Sequence, residues 1–219
     1  MIIAFTGMDG SGKSLQAKAL SDSLHDEGFH SHYVWSRWSP LLLRPLIGLG
    51  RMLMGGRGGS EDEMYKTFQQ GKRKMFQRPI LAQIWKILAC VDYSLQVLFK
   101  IGIRSKGRNI VVCDRYVHDL LVDLGTNFGY DSEQIAQLWS SRLLCLFPKP
   151  DLVFLLDLPP EVAFERKEDV PLSYLRDRRA LYESMRKLQD VELVDATGSI
   201  EELGDILHRR TMELLDKGA

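Results

Sequence analysis

Eight consecutive residues, Gly7-Met8-Asp9-Gly10-Ser11-Gly12-Lys13-Ser14, carry the clearest chemistry in this chain. They satisfy the pattern G-x-x-x-x-G-K-S, whose glycines let backbone N–H groups converge on phosphate oxygens. Gly7, Gly10, Ser11 and Gly12 shape the cradle, and Leu15 follows in the helix that the loop opens. Lys13 has the charge and reach for the β- and γ-phosphates of ATP, and the Ser14 hydroxyl suits magnesium. Asp9 is the odd member: a carboxylate inside a phosphate loop repels its ligand unless it turns to solvent, a metal or the second substrate. A second group is Asp114-Arg115-Tyr116, directly after the apolar run 110–113. An acid at the tip of a buried strand can hold magnesium through water, and a guanidinium beside it can grip an anionic acceptor. Arg166, Lys167, Arg176, Arg178 and Arg179 follow later, and such side chains stabilise charge spread over a migrating phosphoryl group. Arg166 fits the start of a lid best.

These residues need strands that end beside one another. Apolar runs at 2–6, 32–35, 110–113, 152–157 and 192–194 alternate with helical patterns at 13–27, 80–98, 132–146, 160–167, 172–188 and 200–215. Leu15, Ala19, Leu20 and Leu24 share a face of the first helix, and Gly28 stops it. Ile80, Ile84, Ile87, Leu88, Val91, Leu95 and Leu98 repeat at helical spacing. Strands alternating with helices predict an α/β fold with a parallel sheet and helices on both faces. Ligands of such a sheet gather beyond the carboxyl ends of its strands, where the motifs fall. The chain reads as one domain over 1–219, with a charged mobile lid over 166–179 and an exposed glycine-rich loop at 55–60.

Composition narrows the class. Lys plus Arg and Asp plus Glu are equal at 29 each, which argues against a nucleic-acid coat protein. Cys90, Cys113 and Cys145 lack metal-ligand spacing and read as buried reduced thiols of a cytoplasmic protein. The N-terminus reaches Gly7 too soon for a secretory leader, and the apolar stretch 80–103 carries too many polar side chains to span a membrane. No Asp-Glu pair follows the 110–113 run and no Asn-Lys-x-Asp motif occurs, which disfavours a water-activating ATPase and a GTPase switch.

On these residues the chain resembles thymidylate kinases from end to end. The resemblance rests on the phosphate loop with its internal Asp9, on Asp114-Arg115-Tyr116 and on Leu155-Leu156-Asp157-Leu158-Pro159-Pro160-Glu161-Val162-Ala163. It extends to Arg179 and Tyr182, and to Asp195-Ala196-Thr197 with Ser199-Ile200-Glu201-Glu202. It implies a P-loop NTPase three-layer sandwich with a five-stranded parallel sheet, ATP as donor with magnesium, and a lid over the phosphates. It also implies Asp9 near an acceptor hydroxyl, Arg115 on the acceptor phosphate, Tyr116 lining the acceptor site, and a homodimer acting on a nucleoside monophosphate. Arg37, in Trp35-Ser36-Arg37-Trp38-Ser39-Pro40, matches the family's phosphate-binding loop arginine.

Two departures concern base reading. The family's Asp-Arg pair, whose Arg touches thymine, corresponds here to Asp92-Tyr93, and its polar, Gln-containing segment reads Val117-His118-Asp119-Leu120-Leu121-Val122-Asp123. Phosphate handling is preserved and base reading is not. The apolar insert at about 41–60, with its dense leucines through 54, also differs. It reads as core packing or a dimer interface, with a greasy acceptor or membrane-proximal site as the alternative. Three functions are therefore set against one another: transfer of the ATP γ-phosphoryl to thymidylate or a related nucleotide, the same transfer to a different small acceptor, and a non-metabolic ATP-dependent switch.

Overall fold

The computed structural model describes residues 1–45, 48, 78–105, 107, 109–166, 171–188 and 190–218. Among these residues five strands, β1 (Ile2–Gly7), β2 (Ser31–Trp35), β3 (Ile110–Asp114), β4 (Leu152–Asp157) and β5 (Val191–Asp195), form one sheet in the order β2-β3-β1-β4-β5. Every pairing is parallel. The register sets Trp35 beside Asp114, Gly7 beside Leu156 and Asp157 beside Asp195, so the carboxyl ends form one edge. This is the α/β P-loop NTPase architecture. β1 and β3 are buried at every position, whereas β2 and β5 are partly open. Continuous apolar runs belong in the middle of a sheet covered on both faces, and Phe5 packs its ring 5.3 Å from that of Phe154 there.

The helices include α1 (Lys13–Asp26), α2 (Pro79–Val97), which runs on into a π-helical turn at Leu98–Gly102, α3 (Val117–Phe128), α4 (Ser132–Trp139), α5 (Pro160–Arg166), α6 (Leu172–Glu183) and α7 (Ile200–Gly218). α1 lies on β2 and β3 and packs against α7, while α3 reaches β1 and packs against α6. Pro79 opens α2, where its missing N–H costs nothing, and Gly129 closes α3 in the left-handed conformation.

Four expectations are corrected. The buried face of α1 is Lys13, Gln16, Ala17, Leu20, Ser21 and Leu24, and Leu15 and Ala19 face out. The loop fixes that rotation by turning Lys13 inward. The pattern at 132–146 breaks after Trp139, where Ser140 and Ser141, poor helix interiors, lead into a 3₁₀ turn at Arg142–Leu146. α6 likewise ends at Glu183 and tightens into a 3₁₀ turn at Ser184–Lys187. Cys145 is exposed on the first of these turns, unlike Cys90 and Cys113. The glycine-rich loop at 55–60, most of the insert at 41–60, Lys167 and the following three residues of the expected lid lie outside the described residues. No helix among the described residues is long and apolar enough to cross a membrane.

Candidate active site

The phosphate loop leaves β1 at Gly7 and enters α1 at Lys13. A Cβ on Gly7 would stand 2.6 Å from the Leu156 carbonyl oxygen, and one on Gly10 3.0 Å from that of Ala163. Both glycines also have positive φ, so no other residue builds this turn against β4 and α5 without strain. Lys13 curls back so that Nζ donates to the Met8 carbonyl at 2.6 Å. Burial pulls its pKa down to about 8, with Arg115 adding to the effect and Asp119, Asp9 and Asp114 opposing it. Ser14 and Leu15 are exposed at the mouth of the helix, and Ser11 is buried.

Adjacent strands bring the second motif to the loop. Asp114 ends β3 with no exposed surface, and its Oδ2 accepts a hydrogen bond from the Tyr33 hydroxyl at 3.0 Å. Its Oδ1 accepts none among the described residues, and neither the Ser11 nor the Thr6 hydroxyl has a partner there. Buried oxygens left unpaired beside a glycine cradle fit a hydrated magnesium ion with a triphosphate. Arg115 sits in the left-handed region at φ 71, and its backbone N–H donates to the Phe5 carbonyl at 2.9 Å. Its guanidinium bridges two carboxylates. One nitrogen meets Asp9, and the other meets Asp119 at 3.2 Å. Burial opposes the Arg115 charge, but Asp119 and then Asp9 more than offset it and hold its pKa above the usual range. For Asp9, burial alone would raise the pKa; Lys13 and Arg115 overcome it and bring the value to about 2. Lys13, Asp9, Arg115, Asp114 and Asp119 thus form one cluster. Asp119 is the member that motif reading missed, although an acid four residues after an arginine in a helix-opening segment is a legible pairing signal.

Other sequence candidates divide. Arg166 donates to the Gly10 carbonyl at 3.3 Å and the Ala196 carbonyl at 3.4 Å, which sets it against the phosphate loop. Arg179 grips Asp157 with two bonds of 3.1 Å, Arg176 binds Glu161 at 2.8 Å, and Arg178 is buried. Arg37 is exposed beyond β2, and no salt bridge holds it among the described residues. Tyr93 is buried with its hydroxyl committed to the Ser36 carbonyl, so it braces the loop that carries Arg37. Tyr116 is equally buried and donates to the Pro148 carbonyl at 2.7 Å. Asp92 accepts from the backbone N–H groups of Leu41 at 2.9 Å and Leu42 at 3.1 Å, pinning the same loop to α2.

No family model matches the chain. It is 30% identical over 165 residues to the thymidylate kinase of Dinoroseobacter shibae, covering 75% of this chain and 68% of that one. It is 27% identical over 212 residues to a probable thymidylate kinase of Sulfolobus acidocaldarius, covering 92% and 91%. An alignment of 232 positions with the thymidylate kinase of Symbiobacterium thermophilum is 26% identical and covers 99% and 95%. With the parallel sheet, the glycine cradle and the Asp114-Arg115 pair in the places the motifs require, this similarity has one explanation: the chain belongs to the thymidylate kinase family.

Proposed function

We propose that the protein transfers the γ-phosphoryl group of ATP to the phosphate of a nucleoside monophosphate, with thymidylate the first acceptor to test. The observation that carries this reading is the Lys13–Asp9–Arg115 cluster beside the unpaired Asp114 oxygen at the carboxyl edge of the sheet. The loop glycines and Ser11 would hold the donor phosphates, and Lys13 would exchange the Met8 carbonyl for phosphate oxygens. Ser14 and Asp114 would hold magnesium, which supplies charge neutralisation when bound. Arg115 and Arg37 would orient the acceptor phosphate, Asp9 would turn toward an acceptor hydroxyl, and Arg166 would reach the moving phosphoryl group. Such transfer needs positioning and charge stabilisation rather than a covalent intermediate. The whole chain would act as one kinase domain, with 166–179 as its lid and a second copy seated on the apolar side of α2.

An acceptor screen with MgATP tests this reading. ADP and a diphosphate product formed in equal amounts from thymidylate or another nucleoside monophosphate are expected. ATP turnover without any phosphorylated product would instead identify a switch. A second acceptor class is favoured by one observation: the Tyr93 hydroxyl, at the position matching a thymine-reading arginine, is committed to Ser36. Product from a non-nucleotide acceptor alone would establish that reading.

A further inference from the structure

The two carboxylates that hold Arg115 are not equivalent. Asp9 lies on the phosphate loop with 30% of its side chain exposed, whereas the side chain of Asp119 is 4% exposed. Asp119 is also fully bonded. Its Oδ1 accepts from Arg115 at 3.2 Å and from the Tyr182 hydroxyl at 3.0 Å, and its Oδ2 accepts from the Tyr116 backbone N–H at 3.2 Å. The Tyr182 hydroxyl accepts in turn from Arg178 at 3.2 Å, and Arg178 also binds Tyr174 at 3.0 Å and pairs with Asp123. A connected set of buried polar groups therefore runs from α6 through Asp119 to Arg115 and the phosphate loop. Buried charges persist only when paired and hydrogen-bonded, and linked bonds of this kind strengthen one another.

An anion arriving at Arg115 has two carboxylates with which it can exchange. Displacing Asp119 would strip a buried tyrosine hydroxyl and a helix-opening backbone N–H of their acceptor. Displacing Asp9 exposes a half-open loop carboxylate to solvent and costs less. We propose that Asp119 is a positioning residue for the acceptor: it fixes one edge of the Arg115 guanidinium so that the edge shared with Asp9 meets the acceptor phosphate. Tyr182 and Arg178 hold Asp119 in turn. The proposal rests on the reading of Arg115 as the acceptor-phosphate arginine.

The test is the effect of Asp119→Asn and Tyr182→Phe on steady-state kinetics with thymidylate and MgATP. Asp119→Asn keeps the shape and removes the charge, and it should raise the KM for thymidylate by about tenfold while leaving that for ATP within about twofold. Tyr182→Phe, which removes one hydroxyl, should shift the same constant in the same direction by about threefold. If Asp119→Asn fails to fold, Tyr182→Phe carries the test. A parallel rise in both constants, or a fall in kcat alone, would show that Asp119 serves only the fold. If the wild type phosphorylates no nucleoside monophosphate, the acceptor reading fails separately, and inorganic phosphate titrated into MgADP-loaded protein decides the positioning role. Asp119→Asn should then weaken phosphate binding at least about fivefold. Unchanged affinity, or no saturable phosphate binding by the wild type, overturns the proposal.

Discussion

At Lys13 two opposing pressures meet: burial disfavours its charge, and three carboxylates restore part of it. An incoming phosphate would complete that restoration, so the residue is poised for an anion. Lys13→Ala should reduce phosphoryl transfer by about 10²–10³-fold, or about 3–4 kcal/mol, while the thermal transition stays cooperative. Near-normal turnover would remove Lys13 from the mechanism. Asp114→Asn should weaken nucleotide binding in magnesium far more than in a chelating buffer, measured by titration calorimetry. Equal losses in both buffers would mean that the carboxylate only anchors Tyr33. His118 supplies a different test. Its ring is buried 5.6 Å from that of Trp139, its Nδ1 finds no partner among the described residues, and burial lowers its pKa from 6.5 to about 4. The unfolded chain therefore takes up the proton first as pH falls. Stability is fully present above pH 6.5 and declines toward pH 4, by about 3 kcal/mol in all. Asp9, the loop carboxylate with a depressed pKa, loses its contribution only between 3.8 and about 2, so the two windows separate. Urea unfolding at pH 7 and pH 5 should show the decline in the wild type and much less of it in His118→Phe. Equal slopes would assign it elsewhere.

α2 poses the question at the level of the element. Its apolar side chains repeat at helical spacing, yet Ile80, Ile84, Leu88, Val91 and Leu95 are 36–73% exposed. The buried side instead carries Ala89, Cys90, Asp92 and Tyr93. Gln83 is the one polar residue at the exposed positions between Pro79 and Phe99. A helix side this apolar is stable in water only when it is covered. The open side continues through Leu98 and Phe99, 48% and 71% exposed, and so large an unbroken apolar side is the basis for the proposed second copy. Light scattering after size exclusion should give a dimer for the wild type and a monomer for Leu88→Glu. A monomeric wild type would refute the assignment. Periodicity located this helix but assigned its apolar repeat no partner, because spacing along one helix does not say which side meets the sheet. The phosphate loop was legible for the opposite reason, since its glycine positions follow from backbone sterics within eight residues.

Across the whole molecule, the question is what the proposed acceptor site can read. The groups matching the family's base readers are turned inward: Tyr93 binds Ser36, and Leu120, Leu121 and Val122 are buried. Thymidylate should therefore be a poorer acceptor here than for its relatives, since a site loses discrimination steeply when a polar contact to the substrate is missing. Competitive kinetics across the common nucleoside monophosphates would check this, and a kcat/KM for thymidylate far above all others would contradict it. The order of elements, the parallel sheet and the glycine cradle could be read from local pattern, because alternation, helical spacing and steric freedom at glycine act over a few residues. The clamp could not. Asp9 and Arg115 are 106 positions apart, and Tyr182 lies another 63 beyond Asp119. They meet only because β3 pairs beside β1 and α6 packs on α3, and that choice of neighbours is made by burial of the entire sheet rather than by any segment of the chain.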